Sequence, residues 1–137
     1  MSPDSYCHSL SIFLNASDIP QFVGSGNVDL GITGQDQIAE SGLASEINEV
    51  LPLGFGKCRL QVQIPDSSPI QSVEELAGKS IATSFEYVTE DYFRGIDKAA
   101  ETSRNANGEK LLGPTNIRYV GGSVEAACAL GLADGIG

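Results

Sequence analysis

The chain has 137 residues, of which 41% are hydrophobic and 19% charged, with 16 glycines and no tryptophan. That is enough for one compact domain or two small lobes. Eighteen acids against eight bases give a formal charge of −10, the wrong sign for a nucleic-acid binder. No stretch approaches the roughly 20 apolar residues of a membrane span, and residues 1–20 lack the basic start and apolar core of a secretion signal, so a soluble cytoplasmic protein without a membrane partner is expected.

In chain order, SLSIFL (9–14) reads as a strand with Leu10, Ile12 and Leu14 on one face. A short helix follows in ASDIPQFVGSGN, with Ser17 or Asp18 to cap it, Pro20 in its first turn and Gly24 or Gly26 to end it. VDLGIT (28–33) is a short apolar run closed by Gly34, consistent with a buried parallel strand, and DQIAESG supplies another turn or two of helix. From Cys58 the sequence alternates, Leu60, Val62 and Ile64 against Arg59, Gln61 and Gln63, as an extended strand long enough to cross between sheets.

Asp66–Pro69 reads as a turn, and Ser72 with Glu75 three residues on makes a capping box for a short helix ending at Gly78. KSIATS is a strand. Residues 88–102 put Val88, Tyr92, Phe93, Ile96, Ala99 and Ala100 on one helical stripe. Residues 103–115, rich in Asn and Gly, read as a loop. IRYVGG is a strand running into a turn, SVEAACALGL a helix capped by Ser123, and ADGIG the start of another strand. Strands alternating with helices, interrupted once near 50–65, predict an α/β fold in two lobes joined by a crossover strand.

Charge is unevenly spread. Residues 1–56 hold seven acids and no lysine or arginine, while 57–137 hold eleven acids and all eight bases. If the protein handles phosphates, its first half must do so through backbone N–H groups, a metal ion, or polypeptide outside this sequence. Cys7, Cys58 and Cys128 are widely spaced and form no CxxC pair, which argues against a zinc site or a disulfide framework and for buried thiols. His8, the one histidine, sits in the polar start as a surface residue, and no nucleophile–base constellation is evident.

Four stretches in order, DIPQFVGSGNVDLGITGQD (18–36), LGFGKCRLQVQIP (53–65), LAGKSIATSFEYVTEDYF (76–93) and VGGSVEAACALGLADGI (120–136), resemble the ATP phosphoribosyltransferase family of histidine biosynthesis. The resemblance implies a two-lobed fold like that of type II periplasmic binding proteins, with substrates in the cleft. Residues 1–58 would be part of lobe one, 59–65 the crossover strand and 66–137 most of lobe two, incomplete at both ends. It further implies ATP and 5-phosphoribosyl 1-pyrophosphate as substrates, Mg²⁺ as cofactor, and assembly as a homo-oligomer. Adenine N1 displaces pyrophosphate at the ribose C1 carbon. Such a displacement passes through an oxocarbenium-like state, so alignment and neutralisation of the leaving pyrophosphate matter more than a covalent nucleophile.

Against that background Gly31, Thr33 and Gly34 end a strand, where open α/β sheets put their ligands, although an ordinary tight turn reads the same way. Asp36 either contacts a ligand or caps the next helix. Gly54, Phe55, Gly56 and Lys57 match a loop on the nucleotide side of the family's cleft, where Phe55 either stacks or simply packs, and Lys57 and Arg59 are the first cations of the chain. Gly121, Gly122, Ser123 and Glu125 occupy a strand-to-helix turn whose N–H groups suit an anion, while Glu125 also suits the helix dipole. Asp134 matches the acid of the family's ADAI-like strand.

The sequence departs from the family in three places. The phosphoribosyl-binding loop would begin where Gly137 falls; the opening strand with its basic-glycine motif would precede residue 9; and Glu90-Asp91 stand where the family carries basic residues. The two acids are read as helix N-terminal residues. An enzyme of this family is the first reading. A catalytically inactive fragment or oligomerising partner is the second, and a small-ligand binding module the third.

Overall fold

The computed structural model describes residues 9–107 and 113–137. The chain divides into two compact units, Met1–Asn48 and Glu49–Gly137.

In the first unit, helix α1 spans Ile19–Gly24. Pro20 lies in its first turn, where the fixed φ suits a helix and the missing N–H would have no helical partner, and its ring is buried. Asp18 occupies the N-cap position without capping; its carboxylate instead accepts a long 3.5 Å contact from the Asn15 amide. The helix closes at Ser25, whose hydroxyl donates to the Gln21 carbonyl at 2.7 Å, and Gly26 takes the left-handed turn at φ +75°. Helix α2 spans Gln35–Glu40 and is followed by Gly42 at φ +69°. Both helices agree with the sequence reading.

The strands predicted at 9–14 and 28–33 do not form among the described residues. Leu10, Ile12, Leu30 and Ile32 are exposed rather than buried in a sheet. Alternation marks which face of a strand would be apolar, but a strand also needs a hydrogen-bonded neighbour, and these two segments have no ladder partner among the described residues.

The second unit is built on a three-stranded parallel sheet in the order β2–β1–β3, with β1 at Ser80–Thr83, β2 at Asn116–Tyr119 and β3 at Gly135–Ile136. Ser80 pairs with Asn116 and Thr83 with Tyr119, while Ile81 pairs with Gly135 on the other side. Helix α3 (Glu86–Asn107) connects β1 to β2, and helix α4 (Val124–Ala129) connects β2 to β3. Successive side chains of β1 point to opposite faces. Ile81 therefore joins Ile70, Leu76 and Phe93 in one core cluster, and Ala82 joins Ala127 and Ile136 in the other.

The crossover strand expected over 59–65 is reduced to one antiparallel bridge. Gln63 and Ile136 exchange two backbone bonds of 2.9 Å, and no helix forms at 52–65. The alternation is right at its end, since Val62 and Ile64 pack against the core while Gln61 and Gln63 stay exposed. The bridge also explains Gly135: a Cβ there would lie 3.2 Å from both the Gln63 carbonyl oxygen and Ile81 Cδ1.

The expected capping box is displaced. A 3-10 helix spans Val73–Leu76, and the Glu75 carboxylate accepts from the Gln71 N–H at 3.4 Å instead of from Ser72. Hydrogen bonds from its own backbone N–H and from the Ser72 hydroxyl hold the Glu74 carboxyl below the usual range. Helix α3 begins earlier and ends later than its stripe suggested, so residues 103–107 of the predicted loop are helical; residues 108–112 of that loop lie outside the described residues. The hydroxyls of Thr102 and Ser103 bond back to the carbonyls of Lys98 and Ala99, so these polar residues are satisfied within the helix and do not end it. Asp97 ties α3 to the approach to β2: its carboxylate accepts from the Thr115 N–H at 2.8 Å and the Thr115 hydroxyl at 2.6 Å. Thr115 Oγ1 in turn accepts from the Gly78 N–H at 3.1 Å.

Candidate functional site at the carboxyl edge of the sheet

Because β1, β2 and β3 run parallel, their carboxyl ends share one edge, and ligands of open α/β sheets bind there. Three segments leave that edge: Ser84–Phe85 into α3, Val120–Ser123 into α4, and Gly137 after β3. All three are tied to the last two residues of β1. The Val120 N–H donates to the Thr83 carbonyl at 2.8 Å and the Gly137 N–H to the Ala82 carbonyl at 3.0 Å. The Phe85 N–H donates to Thr83 Oγ1 at 2.9 Å.

Gly122, Ser123 and Glu125 stand on this edge. Gly121 and Gly122 are exposed, and the Tyr119 hydroxyl lies 3.5 Å from where a Gly121 Cβ would sit. Ser123 does not cap α4 with its side chain, contrary to expectation. It is held at φ 54°, ψ 39°, the one non-glycine residue with positive φ among the described residues. That conformation costs an L-residue about 1–2 kcal/mol, and it orients the turn that opens α4. Glu125 is exposed in the first turn of α4.

Asp134 stands at the other end of the strands. Its carboxylate accepts the Ser80 N–H at 3.0 Å, and its own N–H donates to the Ser80 carbonyl at 2.8 Å, so it braces the start of β1 and is not brought together with Gly122 and Ser123. It also lies near Cys128, whose thiol is pushed up by burial and then by the Asp134 charge.

Glu90 and Asp91 are exposed. Because α3 starts at Glu86, they fall in its second turn, beyond the reach of the N-terminal dipole. Asp91 pairs instead with Arg94 at 3.1 Å, an exposed contact of little energetic weight.

Phe55 and Lys57 belong to an irregular stretch of the second unit. Phe55 is 79% exposed between Gly54 at φ +76° and Gly56 at φ +67°, and is not packed in the core. Lys57 and Arg59 are exposed as well.

The remaining candidates belong to the first unit. The Thr33 hydroxyl donates to the Ala16 carbonyl at 2.8 Å. A Cβ on Gly31 would come within 2.6 Å of Ile19 and 2.9 Å of Val23, so glycine lets the chain pass close over α1. Gly34 is the N-cap residue of α2, and the Asp36 carboxylate, in the helix's first turn, folds back over it.

Among the described residues no group of three or more His, Cys, Asp or Glu side chains is arranged to hold a metal ion. Magnesium commonly takes only one or two protein carboxylates and completes its shell with water and substrate phosphate. The donor set of the edge, Glu125 and Glu86 in the first turns of α4 and α3 with backbone carbonyl and hydroxyl oxygens, fits a cation delivered on a phosphate ligand. It does not fit a dedicated cage. Sequence reasoning missed Thr83 and Thr89, whose buried hydroxyls meet at 3.1 Å beneath this edge. The one available signal was a strand, KSIATS, that turns from apolar to hydroxyl residues at its end.

The parallel sheet, its crossover helices and the open turns at one edge define an α/β architecture of the class that binds ligands at the carboxyl ends of its strands. A family model described as ATP phosphoribosyltransferase matches residues 15–137, and the chain belongs to that family. It is 51% identical over 130 residues to the ATP phosphoribosyltransferase of Schizosaccharomyces pombe, covering 91% of this chain and 41% of that protein. The enzyme of the same name from Candida albicans is 50% identical over 125 residues, covering 91% of this chain and 37% of the relative. Among solved structures, the ATP phosphoribosyl transferase (HisG:HisZ) complex from Thermotoga maritima is similar, with a TM-score of 0.59 and 26% identity. That match covers 90% of this chain and 50% of the solved chain. The chain thus spans about two fifths of the length of the curated relatives it matches. Among the described residues, no helix is long and apolar enough to cross a membrane.

Proposed function

We propose that this chain forms a substrate-binding part of the catalytic region of an ATP phosphoribosyltransferase. The whole enzyme condenses ATP, through adenine N1, with 5-phosphoribosyl 1-pyrophosphate to give phosphoribosyl-ATP and pyrophosphate in the first step of histidine biosynthesis. The observation that carries this reading is the family match over residues 15–137, which includes every turn of the carboxyl edge. On this reading the chain is a portion of a two-lobed, type II periplasmic-binding-protein-like fold, with lobes at 1–58 and 66–137 about the 59–65 crossover. It works in the cytoplasm as part of a homo-oligomer.

The roles open to the chain's own residues are binding and orientation. Gly121, Gly122 and Ser123 are exposed in a turn whose N–H groups suit phosphate oxygens, and Glu125 is a carboxylate of that edge available to a magnesium ion. Magnesium, when bound, neutralises the charge that develops on the departing pyrophosphate. Gly31, Thr33, Gly34 and Asp36 of the first unit, and Phe55 and Lys57 of the irregular stretch, are proposed as further substrate contacts. Asp134 contributes by bracing β1.

Calorimetric titration of the purified chain with Mg²⁺ and 5-phosphoribosyl 1-pyrophosphate, and separately with ATP, tests the reading. Saturable binding of either is expected, and binding of neither overturns it. The second reading is a non-catalytic fragment or oligomerising partner of that family. Following the phosphoribosyl-ATP chromophore with both substrates present separates the two, because turnover by this chain excludes the second.

A further inference from the structure

We infer that the Thr83–Thr89 hydroxyl pair is a positioning latch for the carboxyl edge, setting the geometry with which the turns after β1, β2 and β3 meet a phosphorylated ligand. The inference rests on the reading of that edge as the ligand edge.

Thr83 is wholly buried at the end of the central strand, and Thr89, in α3, is 3% exposed. The neighbouring positions of β1, Ile81 and Ala82, are apolar and serve the two core clusters. Hydroxyls at the next buried position carry a desolvation cost that valine would avoid, and that cost is offset only by hydrogen bonds. Those bonds are directional and converge on the edge. Thr83 Oγ1 accepts from the Phe85 N–H at 2.9 Å and from the Thr89 hydroxyl at 3.1 Å. The first bond fixes the turn into α3, and the second holds α3 itself against the strand end. The Thr83 carbonyl holds the turn toward α4 through Val120 at 2.8 Å.

Gly137 completes the arrangement. A Cβ at that position would lie 3.7 Å from Thr89 Oγ1 and 3.8 Å from Thr83 Oγ1, so the residue leaving β3 rests directly over the pair. Neither threonine is exposed enough to touch a ligand. Their effect passes through the turn into α3 that the hydroxyls hold, the turn toward α4 held by the Thr83 carbonyl, and the seating of Gly137 over the pair.

The test uses the 137-residue chain with Thr89→Val, which removes the hydroxyl at nearly constant shape, Thr89→Ser, which keeps it, and Thr83→Val. Phe93→Leu serves as a control that loosens the core away from the edge. In ligand-free protein, Thr83→Val is expected to raise amide hydrogen exchange at Phe85 and Gly137 at least about tenfold while the exchange of Ser25, in the first unit, stays unchanged. Affinity for magnesium 5-phosphoribosyl 1-pyrophosphate, measured well below every melting midpoint, is expected to fall about tenfold in Thr89→Val. It should remain within about twofold of the unmodified chain in Thr89→Ser and Phe93→Leu.

Unchanged exchange at Phe85 and Gly137 overturns the latch. Equal affinity in Thr89→Val and the unmodified chain, or equal loss in Phe93→Leu, overturns its link to the ligand. If the unmodified chain binds neither this ligand nor ATP, the proposed function fails and the exchange data alone decide the latch.

Discussion

Replacing Asp97 with alanine removes the acceptor that joins α3 to the approach to β2. Two bonds disappear at once, from the Thr115 N–H at 2.8 Å and from its hydroxyl at 2.6 Å. Hydrogen bonds to a charged group contribute about 1.5–3 kcal/mol each when buried. Asp97 is only half-buried and the freed groups are partly rehydrated, which brings the expected loss for the pair to about 2–3 kcal/mol. Asp97→Asn keeps one carbonyl oxygen but no charge, and is expected to lose about half as much. Thr115→Val spares the N–H bond and removes the hydroxyl, including its contact with Gly78 at 3.1 Å. Urea unfolding of the three variants and of the Asp97→Ala/Thr115→Val double variant gives the coupling, expected at about 1 kcal/mol or more. A loss below about 0.5 kcal/mol in Asp97→Ala, or Asn and Ala variants of equal stability, would refute the clamp.

Gly135→Val forces a branched side chain against the Gln63 carbonyl and Ile81 Cδ1, each already 3.2 Å from a single added Cβ. It is expected to destabilise the second unit by about 1–3 kcal/mol, read as a lower urea midpoint. Cys128 should alkylate with iodoacetamide more slowly than the exposed Cys58 at pH 8, since burial and then the Asp134 charge push its pKa up and leave less thiolate, and Asp134→Asn should narrow the gap. Peptide mass spectrometry over time measures this, and equal rates at the two sites would contradict it. The sign for stability follows: a raised folded-state value adds stability that is fully present below the ordinary thiol range and is lost as pH rises through the folded value.

The second unit was largely legible because each of its elements satisfies itself locally or finds a partner within the chain. KSIATS, IRYV and ADGIG pair with one another, and the stripe through Phe93 and Ile96 meets the core it predicts. The failures have particular causes. Leu10–Leu14 and Val28–Thr33 carry strand composition, but composition cannot supply the second half of a ladder. Thr102 and Ser103 look like loop residues until their hydroxyls turn back onto the helix. Ser123 looks like an N-cap, yet its left-handed backbone removes it from that role. Of the candidate site, the glycine turn after a parallel strand was legible, while its supports were not. Thr83 and Thr89 are six residues apart and meet only once β1 has turned into α3. Asp134, matched by family resemblance, proved to brace the strands from their far end.

The exposed segment 9–17 has a consequence for the protein in concentrated solution. It reads SLSIFLNAS, with no charge over nine residues, and Leu10, Ile12 and Phe13 face solvent on backbone that joins no strand ladder among the described residues. Uncharged β-prone runs of this kind stack with copies of themselves as concentration rises. A lysine at Ile12 or Phe13 acts as a gatekeeper against that stacking while leaving the sheet of the second unit untouched. Self-association of the chain is thus a matter for the first unit, in residues remote in sequence from the carboxyl-edge turns.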